Sequence, residues 1–218
     1  SRIARGSDAV TRHVAPPGGV ATMTPARRLK NILGGSAGNF VEWFDWFAYS
    51  AFAIYFSRAF FPAGDQTAQL LGAAALFAVG FIARPLGALL FGRYADRAGR
   101  RTALTLSVAM MCGGSLMIAL IPTGLGLLSP ALLLVARLLQ GLSVGGEYGA
   151  SATYISEMAE RTQRGFWSGF LYVTLTGGQL AALLLLVLLQ RVLTEQQLYE
   201  WGWRIPFAVG AALAAIVW

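Results

Sequence analysis

Six apolar runs, at residues 31–56, 68–91, 102–121, 131–155, 166–189 and 203–218, follow one another with only short polar stretches between them. An α-helix needs about 20 mostly apolar residues to cross the hydrocarbon core of a bilayer. Five of the runs meet that length, and the sixth, about 16 residues long before the sequence stops, falls short of it. Composition agrees. The chain is 56% hydrophobic and only 12% charged, about half the charged fraction usual for a soluble domain. The expected fold is an all-α membrane protein, a six-helix transmembrane bundle with its sixth helix cut short. With a net charge of +7, nucleic acid has to be considered as a partner. The basic residues form no single patch, however; they alternate between loops, which is a membrane-topology signal.

The fourth run contains the most informative stretch, Ala136 to Gly149, ARLLQGLSVGGEYG. At 100° per residue, Gln140, Gly141 and Tyr148 lie within about 60° of Arg137, and Glu147 within about 80°. One face of the helix is therefore polar and small, the rest Leu, Val and Ala. A charge facing lipid costs roughly 3 kcal/mol, so this face looks at protein or at water. Gly141, Gly145 and Gly149 recur every four residues and let another backbone come close. Such a helix suits a solute pathway; the plainer reading is a buried structural ion pair.

The first run holds Glu42-Trp43-Phe44-Asp45 near its middle. Three residues apart on a helix, the two carboxylates project from one side. Poorly solvated and mutually repelling, they suit a proton carrier; alternatively they simply pair with arginines of neighbouring helices. The second run carries Arg84-Pro85. Arg84 can act as a cationic ligand for a substrate carboxylate, or snorkel to the nearby charged loop. The third run, with no charge, reads as packing. The fifth has a polar patch at Tyr172, Thr174, Thr176 and Gln179, and Trp201-Gly202-Trp203-Arg204 opens the sixth with tryptophans at interfacial depth.

Between the second and third runs lies GRYADRAGRR, residues 92–101. It reads as a tight loop in which glycines permit the turn, Asp96 caps the next helix or pairs with Arg100, and the arginines face a lipid surface. Glu157 and Arg164 in the 156–165 loop read as a neighbouring latch. Six basic residues in the amino-terminal tail, four at 92–101 and two at 156–165 face only Arg58 and Arg191 in the alternate loops. This places the amino terminus in the cytosol. Residues 1–30 read as a disordered cytosolic tail, with 1–22 upstream of a natural start at Met23. The tail holds His13, the single histidine, and Cys112 is the single cysteine. With no histidine in any helix, no Ser/His or Cys/His pair is available for an intramembrane enzyme, and no metal site or cofactor is called for.

GRYADRAGRR resembles the signature between helices two and three of the major facilitator superfamily, and Arg137-x-x-Gln140-Gly141 fits that superfamily's fourth helix. Further motifs are similar to the metabolite–proton symporter family. They are Glu42-Trp43-Phe44-Asp45, Arg84-Pro85-Leu86-Gly87, Gln140 to Gly149, and Trp201-Gly202-Trp203-Arg204-Ile205-Pro206-Phe207. Within it, Tyr172-Val173-Thr174-Leu175 with Gly177-Gly178-Gln179-Leu180 looks most like the α-ketoglutarate permeases. The likeness covers 31–218. One position departs: some of those permeases have a histidine where this chain has Ala98, so no proton role for that residue transfers here.

The resemblance implies the amino-terminal half of a rocking transporter, built of two inverted three-helix repeats in which helices one and four are partners lining the cavity. It implies a carboxy-terminal half beyond the present sequence, a bacterial inner membrane, protons as coupling ion, and an organic acid, 2-oxoglutarate first, as substrate. In similar proton-coupled sugar porters a first-helix acid pairs with a fourth-helix arginine, which carries over to Asp45 and Arg137. Glu42 and Glu147 are the other candidate proton carriers. Candidate substrate ligands are Arg84, Arg137, Gln140, Tyr148, Tyr172, Gln179 and Arg204. The cytosolic gate comprises Gly92, Asp96, Arg97, Gly99, Arg100, Arg101, Glu157 and Arg164. Citrate, shikimate, proline or betaine are alternative solutes; a sensor that binds without moving solute, or a half-protein inactive alone, are alternatives of another kind.

Overall fold

The computed structural model describes residues 25–61, 65–158 and 164–217. Its long helices are α1 (Pro25–Phe60), α2 (Gln66–Ala98), α3 (Arg100–Leu120), α4 (Leu128–Met158) and α5 (Arg164–Val192). A short α6 (Glu195–Glu200) and a 3-10 turn (Gly202–Arg204) lead into α7 (Ile205–Val217). No strand occurs among the described residues. Portions of α2, α3, α4 and α5 are long and apolar enough to cross a membrane. Rows of leucine on α2 and α5, Leu71, Leu86, Leu89, Leu184 and Leu188 among them, are exposed. So large an apolar surface belongs in lipid or against other protein.

Every long helix except α3 runs further than its apolar run alone predicts. α1 has 36 residues and α2 has 33, which at ~1.5 Å per residue is well beyond a hydrocarbon core of ~30 Å. The ends project from the membrane as helix. This corrects two expectations. Residues 25–30 are the first turns of α1, opened by Pro25, which suits a helix start because its missing N–H would be an orphan there. The stretch 92–101 is not a loop. Tyr94, Ala95, Asp96 and Arg97 continue α2, and the chain turns at Gly99 alone, whose φ of 89° favours glycine. Gly99, not Asp96, is the N-cap of α3, and no side chain caps there.

The start of α2 is capped by Asp65, which accepts a hydrogen bond from Ala68 N at 2.8 Å. α6 falls where a loop was expected. Thr194 and Gln197 form a reciprocal capping box around its first turn.

α1 is not among the helices apolar enough to span by composition. Its charges are tolerated because it runs through the interior, packing against α2, α4, α5, α6 and α7. The main helix pairings are α2 with α4, α1 with α5, α3 with α4, and α3 and α1 each with α7. Exchanging α1 with α4, α2 with α5 and α3 with α7 maps this set onto itself. The α2–α4 contact is backbone on backbone. A Cβ on Gly141 would fall on the Gly80 carbonyl, one on Gly145 on the Arg84 carbonyl, and one on Gly87 on Leu142. Beyond the polar cluster described next, buried aromatic rings close the bundle: Phe52, Phe56, Phe60, Trp203 and Phe207. Trp203 stands 5.4 Å from Phe60 between ring centroids.

Candidate functional site: a buried charge network between α1, α3 and α4

Asp45 on α1 and Arg137 on α4 face each other in the interior, 1% and 0% exposed, with Arg137 Nη1 3.5 Å from Asp45 Oδ2. Gln140, one turn along α4, stands between them. Its Oε1 accepts from Arg137 Nη1 at 2.6 Å. Its Nε2 donates to Asp45 Oδ2 at 2.7 Å and to Ser115 Oγ of α3 at 2.9 Å. Ser115 in turn donates to Asp45 Oδ1 at 2.5 Å. Arginine nitrogens are obligate donors, so Arg137 fixes which end of the Gln140 amide faces it and therefore which end faces Asp45. Both carboxylate oxygens are held by donors. Gly114 makes room for this: a Cβ there would meet Gln140 Cγ at 2.6 Å.

Arg137 is otherwise wrapped in aromatic rings. Its Cζ lies 4.1 Å from the Tyr49 centroid, 4.3 Å from Trp46 and 5.3 Å from Phe77. Its Nε and Nη2 have no hydrogen-bond partner among the described residues. Buried cation–π contacts are worth about 2 kcal/mol and offset part of the cost of burying this charge. Arg84 of α2 shares one of these rings. Its Cζ is 4.1 Å from the Trp46 centroid, 4.0 Å from Phe81 and 5.9 Å from Trp43. It turns inward onto α1 instead of snorkelling to the surface. Glu42 is buried on α1, 1% exposed.

The other candidates are less concentrated. Gln179 on α5 is half-buried, next to Gly178, where a Cβ would stand 2.6 Å from the Phe40 carbonyl. Nearby, Asn39 donates to Thr174 Oγ1 at 2.7 Å, joining α1 to α5. Tyr172 is 72% exposed and is not brought to the Asp45–Arg137 network. Nor is Arg204: its Nη1 donates to the Ala119 and Ile121 carbonyls, both at 2.8 Å, closing the last turn of α3. Gly92, Asp96, Arg97 and Gly99 are exposed at the α2–α3 turn. The side chains of Arg100, Arg101, Glu147, Tyr148, Glu157 and Arg164 lie outside the described residues, and with them the expected Asp96–Arg100 and Glu157–Arg164 pairings.

Ser115 is absent from the sequence-based candidates, because α3 reads there as packing. The signal available is modest: Ser107 and Ser115, eight residues apart, share a face of an otherwise apolar helix. Both are buried, and Ser107 exchanges hydroxyl-to-carbonyl hydrogen bonds with Ser143 of α4 at 2.7 and 2.6 Å.

Residues 32–218 match the family of sugar (and other) transporters. The chain is 57% identical over 192 residues to the alpha-ketoglutarate permease of Escherichia coli K12, covering 87% of this chain and 44% of that protein. It is 39% identical to the citrate-proton symporter of Salmonella typhi, covering 91% and 47%. The proline/betaine transporter of Salmonella typhimurium is 35% identical, at 91% and 40% coverage. The chain thus spans a little under half the length of these relatives. Among solved structures, the proton:xylose symporter XylE bound to 6-bromo-6-deoxy-D-glucose superposes with a TM-score of 0.78 at 20% identity, over 88% of this chain and 43% of that one. The likeness of sequence over nearly the whole chain, together with the shared fold, makes this chain a member of the sugar (and other) transporter family of the major facilitator superfamily.

Proposed function

We propose that the chain forms the amino-terminal helix bundle of a proton-coupled symporter that imports an organic acid, 2-oxoglutarate first of all, by alternating access. The protein would lie in the bacterial inner membrane with its amino terminus in the cytosol, and a second bundle of the same carrier would form the opposite wall. The observation that carries this reading is the pair of guanidiniums, half-buried Arg84 and fully buried Arg137, on the single indole of Trp46, one of them held by Asp45. A dicarboxylate needs two fixed positive charges, and an arginine can bind each carboxylate with two hydrogen bonds.

Asp45 supplies the coupling. Ionised, it neutralises Arg137. Protonated, it leaves Arg137 a buried cation without its counter-ion, a situation that costs about 3–5 kcal/mol when it arises by removing one partner of a buried pair. A substrate carboxylate then becomes the favourable partner, so proton and substrate travel together. Citrate is the second reading, supported by the 39% identity to a citrate-proton symporter; a zwitterion such as betaine has weaker support, since one carboxylate does not use two arginines.

The test is Asp45→Asn in the whole carrier, reconstituted in vesicles. Exchange of labelled 2-oxoglutarate across the membrane should survive, while accumulation driven by a proton gradient should vanish. Continued accumulation against the gradient would remove Asp45 as the proton site. Competition by citrate and betaine in the same vesicles ranks the solutes.

A further inference from the structure

The geometry points to Ser115 as the hydroxyl that accepts the hydrogen bond of protonated Asp45, with the proton carried on Oδ1. This rests on the reading of Asp45 as the proton carrier and assigns the proton to one atom and one partner.

The argument is an inventory of donors. Asp45 Oδ2 faces Gln140 Nε2 at 2.7 Å and Arg137 Nη1 at 3.5 Å. Both are nitrogen donors, and neither can accept a proton's hydrogen bond. Gln140 cannot turn its oxygen to Asp45 without setting its amino group against Arg137, now 2.6 Å from Oε1. Oδ2 is thus closed to protonation. Oδ1 faces Ser115 Oγ at 2.5 Å, and a hydroxyl can be donor or acceptor. Among the described side chains that hydrogen-bond to Asp45, it alone can reverse.

The balance of the step is simple. One proton arrives from the aqueous side and bonds to Asp45 Oδ1, and the carboxylate becomes a neutral carboxyl. The Ser115 hydroxyl rotates, keeps its own hydrogen, and accepts from Oδ1–H. Its hydrogen finds a backbone carbonyl one turn back on α3, at Met111 or Cys112, as helical serines commonly do. Ser115 Oγ still accepts from Gln140 Nε2, 2.9 Å away, so it then makes one donor and two acceptor bonds, its full capacity. No bond of Gln140 or Arg137 has to break.

Of the elements packed around Asp45, α3 supplies the hydrogen bond to Oδ1. α7 presents Gly210, where a Cβ would stand 3.3 Å from Oδ1. α3 brings Ser115 and, one turn earlier, Cys112, whose thiol donates to the Ala211 carbonyl of α7 at 3.3 Å. The charged and titratable groups around the network, among the described residues, are Glu42 and Tyr49 on α1, Arg84 on α2, Cys112 on α3 and Arg137 on α4; the hydrogen bond to Oδ1 comes from Ser115.

The test is infrared difference spectroscopy of the whole carrier in vesicles, recorded between high and low pH. A protonated-carboxyl band should be present in the parent and lost in Asp45→Asn. In Ser115→Ala the band should persist but move to higher wavenumber, because the carboxyl has lost its acceptor; Ser115→Thr, which keeps a hydroxyl, should leave it in place. Binding of labelled 2-oxoglutarate at low pH shows that each variant is folded. A band unmoved in Ser115→Ala overturns the assignment of Ser115 while leaving Asp45 as the proton carrier. A band unaffected by Asp45→Asn instead overturns the proposed coupling at Asp45 itself.

Discussion

Gln140 holds Asp45 more closely than Arg137 does: the amide nitrogen donates to Oδ2 at 2.7 Å, whereas the guanidinium stands 3.5 Å away. The ion pair between α1 and α4 is therefore a pair with an amide wedged into it. That geometry lets the charge on Asp45 change without the two helices having to part, because the hydrogen bonds through Gln140 survive either state.

Replacing Gln140 by Leu should therefore do more harm than deleting one surface hydrogen bond. Arg137 Nη1 loses its 2.6 Å acceptor and Ser115 loses a donor, both in the buried interior. An orphaned buried polar group costs roughly 1–3 kcal/mol. The expected result is a drop in melting temperature of the purified carrier and slower transport, with proton-driven accumulation and simple exchange reduced together. Unchanged stability would mean that Arg137 closes directly onto Asp45 and that the amide is dispensable.

What the residues disclosed in advance, and what they did not, follows from the range of each signal. The apolar runs gave all the long helices, because a bilayer demands about 20 apolar residues whatever the neighbours are. Arg137 and Gln140 stood out because polar side chains are rare in such runs. Their pairing with Asp45 is a contact between residues about 90 positions apart, and it was carried only by the resemblance to sugar porters. Ser115 gave little signal, since a serine hydroxyl in a membrane helix can be satisfied by its own backbone. At 92–101 the density of charge suggests a loop, yet Tyr94-Ala95-Asp96-Arg97 contains nothing that breaks a helix, and α2 continues through it. Arg204 stands among the candidate ligands, and nothing in the sequence shows which backbone groups it meets. The carbonyls it binds end α3, and helix ends are the least certain feature of a sequence reading.

Gly145 should not tolerate even a small side chain. Its missing Cβ lies against the Arg84 carbonyl, and Ala88 N would be 2.7 Å from it. Backbone cannot move aside as a side-chain tip can, so Gly145→Ala should force α2 and α4 apart. Overpacking costs about 1–3 kcal/mol, and a backbone clash belongs at the upper end. Thermal unfolding in detergent measures it. Gly113, where a Cβ meets nothing within 4 Å, is the control: Gly113→Ala should leave stability unchanged or raise it slightly, by up to about 1 kcal/mol.

Arg204→Gln separates a structural role from a binding role. Arg204 Nη1 satisfies two terminal carbonyls of α3, and its guanidinium lies 4.5 Å from the Trp203 ring. Its loss should lower stability by roughly 1–3 kcal/mol and leave the affinity for 2-oxoglutarate within about twofold once the protein is folded, a margin below 1 kcal/mol. A tenfold weaker affinity with unchanged stability would place Arg204 in the substrate site.

The pH dependence of binding tests the linkage between Asp45 and Arg137 most directly. In the proposed mechanism the substrate carboxylate and ionised Asp45 compete for the charge of Arg137, which stands 3.5 Å from Asp45, so substrate would bind the carrier in which Asp45 is protonated. The sign follows: protonation favours substrate, and by reciprocity substrate favours protonation. Affinity should strengthen as pH falls. On the alkaline side of the Asp45 titration the dissociation constant should rise about tenfold per pH unit, because the competent fraction falls tenfold. Asp45→Asn mimics the protonated state permanently and should give a flat profile at the low-pH affinity. Glu42→Gln keeps Asp45 and should retain the slope. Calorimetric titration of the whole carrier with 2-oxoglutarate at several pH values reads all three curves. If Asp45→Asn keeps the slope while Glu42→Gln loses it, the coupled proton sits on Glu42, one turn earlier on α1.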